Sequence, residues 1–367
     1  MGEIQKLEEC HIPAVASLYL KVFRKRSGAA GSDLQGYFRE VFLQNPWRDD
    51  SIASLVYSHK GKIVGFVGVI PRSMTFHGRP IRVAVVTQLM ADTEEYRGFP
   101  GLELLERLFQ GEQDCSYTDG ATEAAYTIWT AAGARAAQLY SLEWTRVLRH
   151  SRYLRALVEH GGNARIGLMA RAASPVCAFA DAVLSKLPFR AVSPPASEYR
   201  SDPAGADELL DCISEIGWKD ALAPAYERES FGWLLAQATT ARRHGDLRAA
   251  TVRDGRGIRA GWYVYWAKRG GISNVLQIGA KGRHFDGVFR ALLRDAWDQG
   301  VIAVRGQAIP RYLSTMTLRH ATFRHVGHGV LIHSRDPKIL ACVLQGEAAL
   351  SRLDGEWWLR FAVEEWR

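Results

Sequence analysis

The residues with the clearest chemical potential lie between Arg82 and Phe109, in the run RVAVVTQLMADTEEYRGFPGLELLERLF. Glu94, Glu95, Tyr96, Arg97 and Gly98 make a short charged turn. Before it, Val83, Val85, Val86, Leu89 and Met90 predict a strand that is apolar on both faces. After it, Leu102, Leu104, Leu105, Leu108 and Phe109 recur at helical spacing. A glycine-containing turn that feeds a helix N-terminus offers backbone amides and the positive end of the helix dipole. That chemistry suits a phosphate or pyrophosphate. Arg97 adds a guanidinium able to grip such a group, although the same residue suits a solvated surface equally well.

The flanking elements must hold this turn in place. Ile12 to Arg26 has the periodicity of a helix, and its basic end, Lys21 to Arg26, reads as a solvated terminus whose cations suit the dipole. Leu55 to Ser58 and Ile63 to Pro71 predict a hairpin, and the strand at Arg82 follows a second turn at His77 to Pro80. Cys115 to Ala121 then reads as a strand, Thr122 to Ala132 as a helix and Gln138 to Leu148 as a strand. The pattern recurs further on. Leu247 to Val252 and Ile258 to Ala267 make a hairpin, Asn274 to Ala280 a strand, Phe285 to Trp297 a helix and Val301 to Gln307 a strand. Gly65 corresponds to Gly261, Gly78 to Gly271, Gln88 to Gln277 and Leu105 to Leu293. Such internal repetition predicts two copies of one mixed α/β domain. Residues 1–150 form the first and 194–367 the second, with a helical connector over 151–193 that ends at Pro188, Pro194 and Pro195.

This arrangement resembles the acyltransferase fold of the GCN5-related N-acetyltransferase (GNAT) family. The resemblance rests on Tyr96-Arg97-Gly98-Phe99-Pro100-Gly101-Leu102-Glu103-Leu104-Leu105 and on Ile128-Trp129-Thr130-Ala131-Ala132-Gly133-Ala134. It implies that Arg97, Gly98 and Gly101 hold the pyrophosphate of acyl-coenzyme A, acetyl-coenzyme A in the first instance. It also implies that the strand at Leu89 and Met90 parts from its neighbour and pairs with the pantetheine amides. Pro100 and Leu102 stand where the family has small residues, and Trp129 stands where it has its tyrosine acid. Proline removes an amide donor, and an indole cannot transfer a proton in that role.

Transfer to an amine needs a base. The resemblance puts the chemistry at the end of the Arg82 to Ala91 strand, where Asp92, Glu94 and Glu95 are the nearest carboxylates. The same carboxylates also suit the start of a helix. Tyr140, in the later strand with Glu143, is the candidate replacement for the missing acid, and packing is its alternative role.

The remaining features narrow the class. The 367 residues suit two domains, and the net charge of +8 favours anionic partners such as coenzyme A. Met1 to Glu9 is not a signal sequence and no stretch makes a comfortable membrane span, so a cytoplasmic location is expected. Cys10, Cys115, Cys177, Cys212 and Cys342 read as reduced core thiols. His320, His325, His328 and His333 lack the spacing of a metal site, and no metal is expected. The aromatic run Gly261 to Trp266 places Trp262, Val264 and Trp266 on one face and Tyr263 and Tyr265 on the other, one of the two being core and the other suited either to packing or to a cleft. The expected function is a tandem acyltransferase that uses acyl-coenzyme A to modify an amine or hydroxyl of a small molecule or polysaccharide precursor. Two alternatives stand beside it: a FemABX-like transferase that takes aminoacyl-tRNA, and a binding protein whose donor sites have decayed.

Overall fold

The computed structural model describes residues 2–26, 28–96, 98–160, 181, 195–325 and 329–357. Contacts divide the chain into two units: Met1–Ser141 with Lys219–Gln237 and His325–Arg367, and Leu142–Trp218 with Ala238–Arg324.

The first unit opens with β1 (Glu3–Lys6), α1 (Ile12–Arg24) and α2 (Ser32–Phe42). Three strands follow, β2 (Leu55–His59), β3 (Lys62–Phe76) and β4 (Arg79–Ala91). Then come α3 (Pro100–Phe109), β5 (Cys115–Thr118), α4 (Glu123–Ala131) and β6 (Arg135–Ala136). Alternation along β3 and β4 separates two apolar layers. Val67, Val69, Ala84 and Val86 pack with Leu104, Leu105, Leu108, Phe109 and Trp129 of the two later helices. Phe66 faces the other way, and the rings of Phe38 and Phe42 from α2 lie 6.0 and 5.3 Å from it. Fully burying each of these aliphatic or aromatic side chains contributes about 1.5–3 kcal/mol.

The second unit contains β7 (Leu142–Val147), α5 (His150–His160), β8 (Arg200–Pro203) and α6 (Ala206–Ile216). Next in the chain come β9 (Leu222–Pro224), which pairs with β3, and α7 (Arg228–Thr240), which belong to the first unit as far as Gln237. The second sheet continues through β10 (Asp246–Arg253), β11 (Arg259–Ala267), β12 (Ile272–Ala280), α8 (Phe285–Asp298), β13 (Ala303–Gln307), α9 (Leu313–Leu318) and β14 (Thr322–His325). The last elements, β15 (Leu331–Ser334) and α10 (Pro337–Gln345), belong to the first unit.

The strand order is β1-β2-β3-β4-β5-β15-β6 in one sheet and β8-β10-β11-β12-β13-β7-β14 in the other. Each sheet combines antiparallel pairs with a parallel one, β4 with β5 and β12 with β13. The matched glycines now have a physical reason. A Cβ on Gly65 would meet Leu104 at 3.1 Å and Pro100 at 3.2 Å, and one on Gly261 would meet Val288 at 2.7 Å. In both sheets a glycine lets the helix after the parallel-edge strand lie close to its neighbour.

One expected element changes character. Gln138 to Leu148 is not a single strand of the first sheet. Gln138–Ser141 forms a 3-10 turn, and Leu142–Val147 pairs with β13 in the second sheet, Val147 opposite Ala303. The corresponding place in the first sheet, beside β5, is taken by β15, with Ile332 opposite Tyr117. The limits expected from the sequence, 1–150, 151–193 and 194–367, are contiguous, whereas the contact units are not, because each sheet takes a strand from the other half of the chain. Apart from α5 and Asp181, the expected connector lies almost wholly outside the described residues. Among the described residues no helix is long and apolar enough to cross a membrane.

Candidate functional site

The strands β4 and β5 pair only from Val83 opposite Cys115 to Val85 opposite Tyr117. Beyond that point β4 continues to Ala91, while β5 stops at Thr118. The other edge of β4 is interrupted too. Met90 lies opposite Phe66 and Thr87 opposite Gly68, so Gln88 and Leu89 drop out of register with β3. Gln88 adopts φ +51°, in the left-handed region. A bulge with an unpaired residue bends the strand and re-aims its side chains. The result is a parted sheet edge with a cavity of about 240 Å³ beside it.

The walls of the cavity are chemically unequal. Val86, Leu89, Ala121, Ala125 and Trp129 form an apolar side. Arg24, Gln88, Thr118 and Glu356 form a polar one. Thr122 caps α4 by accepting from the Ala125 amide at 3.2 Å, which fixes the helix start against the cavity. The Trp129 ring is buried and meets Phe109 edge-on at 5.3 Å, so it supports the apolar wall without filling the space.

Glu356 comes from the far end of the chain. Its backbone amide donates to Asp119 Oδ1 at 2.7 Å, and the Trp357 amide donates to the same oxygen at 2.9 Å. Its carboxylate accepts a hydrogen bond from the Thr118 hydroxyl. Upstream, Asp354 accepts from the Tyr226 hydroxyl at 2.5 Å, and the guanidinium of Arg72 donates to the Asp354 carbonyl at 3.4 Å. Arg72 is itself buried, with its guanidinium 3.8 Å over the Trp47 ring, and burial pushes its pKa down to about 10. These contacts leave only 5% of Glu356 exposed.

Gln88 is 8% exposed, and its carboxamide meets the buried Tyr37 hydroxyl without forming a well-aligned hydrogen bond. A buried amide that lacks well-formed hydrogen bonds costs up to about 1–3 kcal/mol, and a non-glycine residue in the left-handed region about 1–2 kcal/mol. A fold that keeps both costs at one residue marks a site where the side chain meets something else. Replacing Gln88 with glycine should therefore stabilise the protein by about 1–2 kcal/mol, read as a rise in the midpoint of urea unfolding at constant slope. A lower midpoint would mean that the carboxamide supports the fold.

The residues expected from the sequence are distributed as follows. Leu89 lines the cavity, whereas Met90 is buried opposite Phe66 in the sheet. Arg97 lies outside the described residues. A Cβ on Gly98 would collide with the Tyr96 ring at 2.2 Å, and one on Gly101 would touch Ile128 at 3.4 Å. Pro100 begins α3 without an N–H, and the Glu103 amide donates to the Phe99 carbonyl, so the first turn of this helix has the Gly101 and Leu102 amides to offer. Asp92 accepts from Lys21 at 2.6 Å and from the amides of Glu94 and Glu95. Burial pushes its pKa up, and the Lys21 ammonium with those amides more than offsets this, leaving it below the usual carboxylate range. Glu94 approaches Lys21 at 3.3 Å, and Glu95 bonds Lys62 at 2.6 Å, which lowers its pKa. None of these three carboxylates lines the 240 Å³ cavity.

Tyr140 is buried in the 3-10 turn. Its hydroxyl donates to the Ala348 carbonyl at 2.7 Å and accepts from the Ala348 amide at 2.8 Å. It anchors the segment that leads to Glu356. Glu143 bonds Arg324 at 2.6 Å. His325 meets Gln138 at 2.9 Å, His333 stacks on Phe109 at 4.0 Å, and His328 lies outside the described residues. Among the described residues no cluster of three metal-ligating side chains exists. Cys10 departs from the expected pattern because it is exposed; Cys115, Cys212 and Cys342 are buried, and Cys177 lies outside the described residues. The Tyr263 and Tyr265 face is core rather than cleft: both rings are buried, and the Tyr265 hydroxyl donates to Asp295 at 2.7 Å.

The second sheet repeats the parting without the same polar set. The pairing of β12 with β13 ends at Val275 opposite Gly306, while β12 runs on to Ala280. Tyr265 lies opposite Val275 and Val264 opposite Gln277, so Leu276 is the extra residue of its bulge. Here Gln277 is satisfied, accepting from the Trp262 indole at 2.9 Å.

No protein-family model matches the sequence, and no curated protein matches it. Solved structures do resemble the fold. A probable N-acyltransferase of Enterococcus faecalis superposes with a TM-score of 0.59 at 11% identity, covering 91% of this chain and 73% of that one. A GCN5-related N-acetyltransferase of Anabaena variabilis gives 0.57 at 11% identity over 91% and 73%. Another, from Kribbella flavida, gives 0.55 at 12% identity over 92% and 72%. The fold is that of the GCN5-related N-acetyltransferases. Within a GNAT fold, the bulged β4 and its parting from β5 are the features that organise the cavity.

Three residues of the cavity escape sequence reasoning. Gln88 is visible only as a repeat marker, and Arg24 only as part of a basic helix end. Glu356 lies 238 residues from its partner Thr118 and carries no local signal.

Proposed function

We propose that the protein is an acyl-coenzyme A dependent N- or O-acyltransferase, built from two GNAT-like copies, of which the first carries the active site. The supporting observation is the parted, bulged β4 edge facing a cavity that holds one buried carboxylate, Glu356. In this reading the pantetheine lies along the unpaired edge of β4, with the acyl group against Val86, Leu89 and Trp129. Glu356 takes a proton from the acceptor ammonium, and the neutral nitrogen attacks the thioester carbonyl. The N–H groups of the bulge face the oxygen where negative charge develops. The C–S bond then breaks as the amide forms. The surplus nitrogen proton passes to the thiolate, and Glu356 returns its own to solvent. Glu94 and Glu95, tied to lysines at the strand end, then serve the β4–α3 turn rather than the reaction. The setting is cytoplasmic, and the acceptor is a small molecule or sugar derivative.

Binding of acetyl-coenzyme A tests this directly. At a hundred times its dissociation constant the donor stabilises the native state by about 2.7 kcal/mol, a melting shift of several degrees. If neither acetyl- nor longer-chain acyl-coenzyme A shifts the midpoint, the reading is wrong. The proline start of α3, with few amides for a pyrophosphate, favours a second reading as an aminoacyl-tRNA dependent transferase. Salt-sensitive binding of charged tRNA without acyl-coenzyme A binding would select it.

A further inference from the structure

The polar wall of the cavity carries both signs of charge, held apart. Arg24 and Glu356 both line it, and among the described residues neither is in an ion pair. The Arg24 Nη2 is buried and has no hydrogen-bond partner. Gln88, more than nine-tenths buried, presents a carboxamide whose polar neighbour, the Tyr37 hydroxyl, forms no well-aligned hydrogen bond with it. The Glu356 carboxylate is anchored through Thr118 and the Asp119-bound backbone. A buried guanidinium nitrogen without a partner, beside a carboxamide with spare hydrogen-bonding capacity, is costly unless a ligand completes it.

We propose that the acceptor is a small zwitterion, an amine that carries its own carboxylate, as in a free α-amino acid. This deepens the acyltransferase reading and rests on it. The ammonium faces Glu356, which deprotonates it. The carboxylate accepts from Arg24 Nη2 and from the Gln88 amide N–H. A guanidinium-to-carboxylate bond is charge-assisted and stronger than a neutral one. The apolar side of the 240 Å³ cavity leaves room for a short acyl group beside an acceptor of amino-acid size.

The experiment measures coenzyme A release from acetyl-coenzyme A by the full chain. The acceptors are leucine, phenylalanine and glutamine as free acids, each beside its carboxamide and its decarboxylated amine. At least one free acid should exceed its amide and amine about 30-fold in kcat/KM, the size expected for a lost charge-assisted pair. Arg24→Gln should erase that preference by raising the KM of the free acid, with the KM of acetyl-coenzyme A unchanged. Equal rates for acid, amide and amine would overturn the zwitterion, as would an Arg24→Gln variant that keeps the preference. Acetyl-coenzyme A binding without acylation of any of the free acids would also overturn it and leave the acyltransferase reading standing. Failure of any acyl-coenzyme A to bind would overturn both.

Discussion

Exchange of Glu356 for glutamine should lower kcat/KM for acyl transfer by about 10²–10⁴-fold, the usual worth of a positioned general base. The substitution keeps the shape of the side chain and the acceptor for the Thr118 hydroxyl, and the Asp119 contacts use backbone amides, so the fold should persist. Acetyl-coenzyme A should bind with unchanged affinity, because the carboxylate addresses the acceptor rather than the donor. The pH profile separates a base from a structural residue. In the variant the rate should climb with pH until the acceptor amine loses its own proton, and the deficit should shrink accordingly. A uniform loss at every pH, or an equal loss of donor affinity, would assign Glu356 to scaffolding.

The second large effect comes from occupying the cavity. Ala125 lies on the apolar wall at the start of α4 and is only half-buried. Its contribution to the helix cap is its backbone amide, which any residue supplies. Ala125→Trp should place an indole where the acyl-pantetheine lies, weakening acetyl-coenzyme A binding by more than about 100-fold. The cost to the helix is about 0.5 kcal/mol, so the melting temperature should change little. Isothermal titration of the variant decides the matter: donor affinity within a few-fold of the parent would put the thioester elsewhere. A cavity this close to a strained bulge serves no packing role, since cavities weaken packing. Filling it should then be neutral for folding while eliminating function.

The contrast between the two bulged strands explains why only the first sheet is assigned the chemistry. Gln88 and Gln277 are the matched residues of the repeat, and both sit at a bulge beside a parting edge. Gln277 spends its carbonyl on the Trp262 indole, and Trp262 in turn meets Trp218 at 5.2 Å. The position has become part of a core. Gln88 has no such partner and opens on a cavity. Two similar bulged edges thus serve packing in one sheet and leave spare hydrogen-bonding capacity in the other, and that difference depends on neighbours rather than on the glutamine itself.

Local pattern alone specified the strand–turn–helix at Arg82 to Phe109, both hairpins, and the repeat marked by Gly65 and Gly261, because two- and 3.6-residue periodicity and close-packing glycines are properties of short segments. The end of the Arg82 to Ala91 strand, as the place for chemistry, is named by the resemblance and not by local pattern. Tertiary structure decided what the cavity contains. The β7 and β15 strands are equally strand-like to local inspection, and only long-range pairing sends each to its sheet. Glu356 reaches the site because Tyr140, Tyr226 and Asp119 fasten a segment more than a hundred residues away in sequence. A carboxylate becomes a base through burial and placement, and neither is written in the residues beside it.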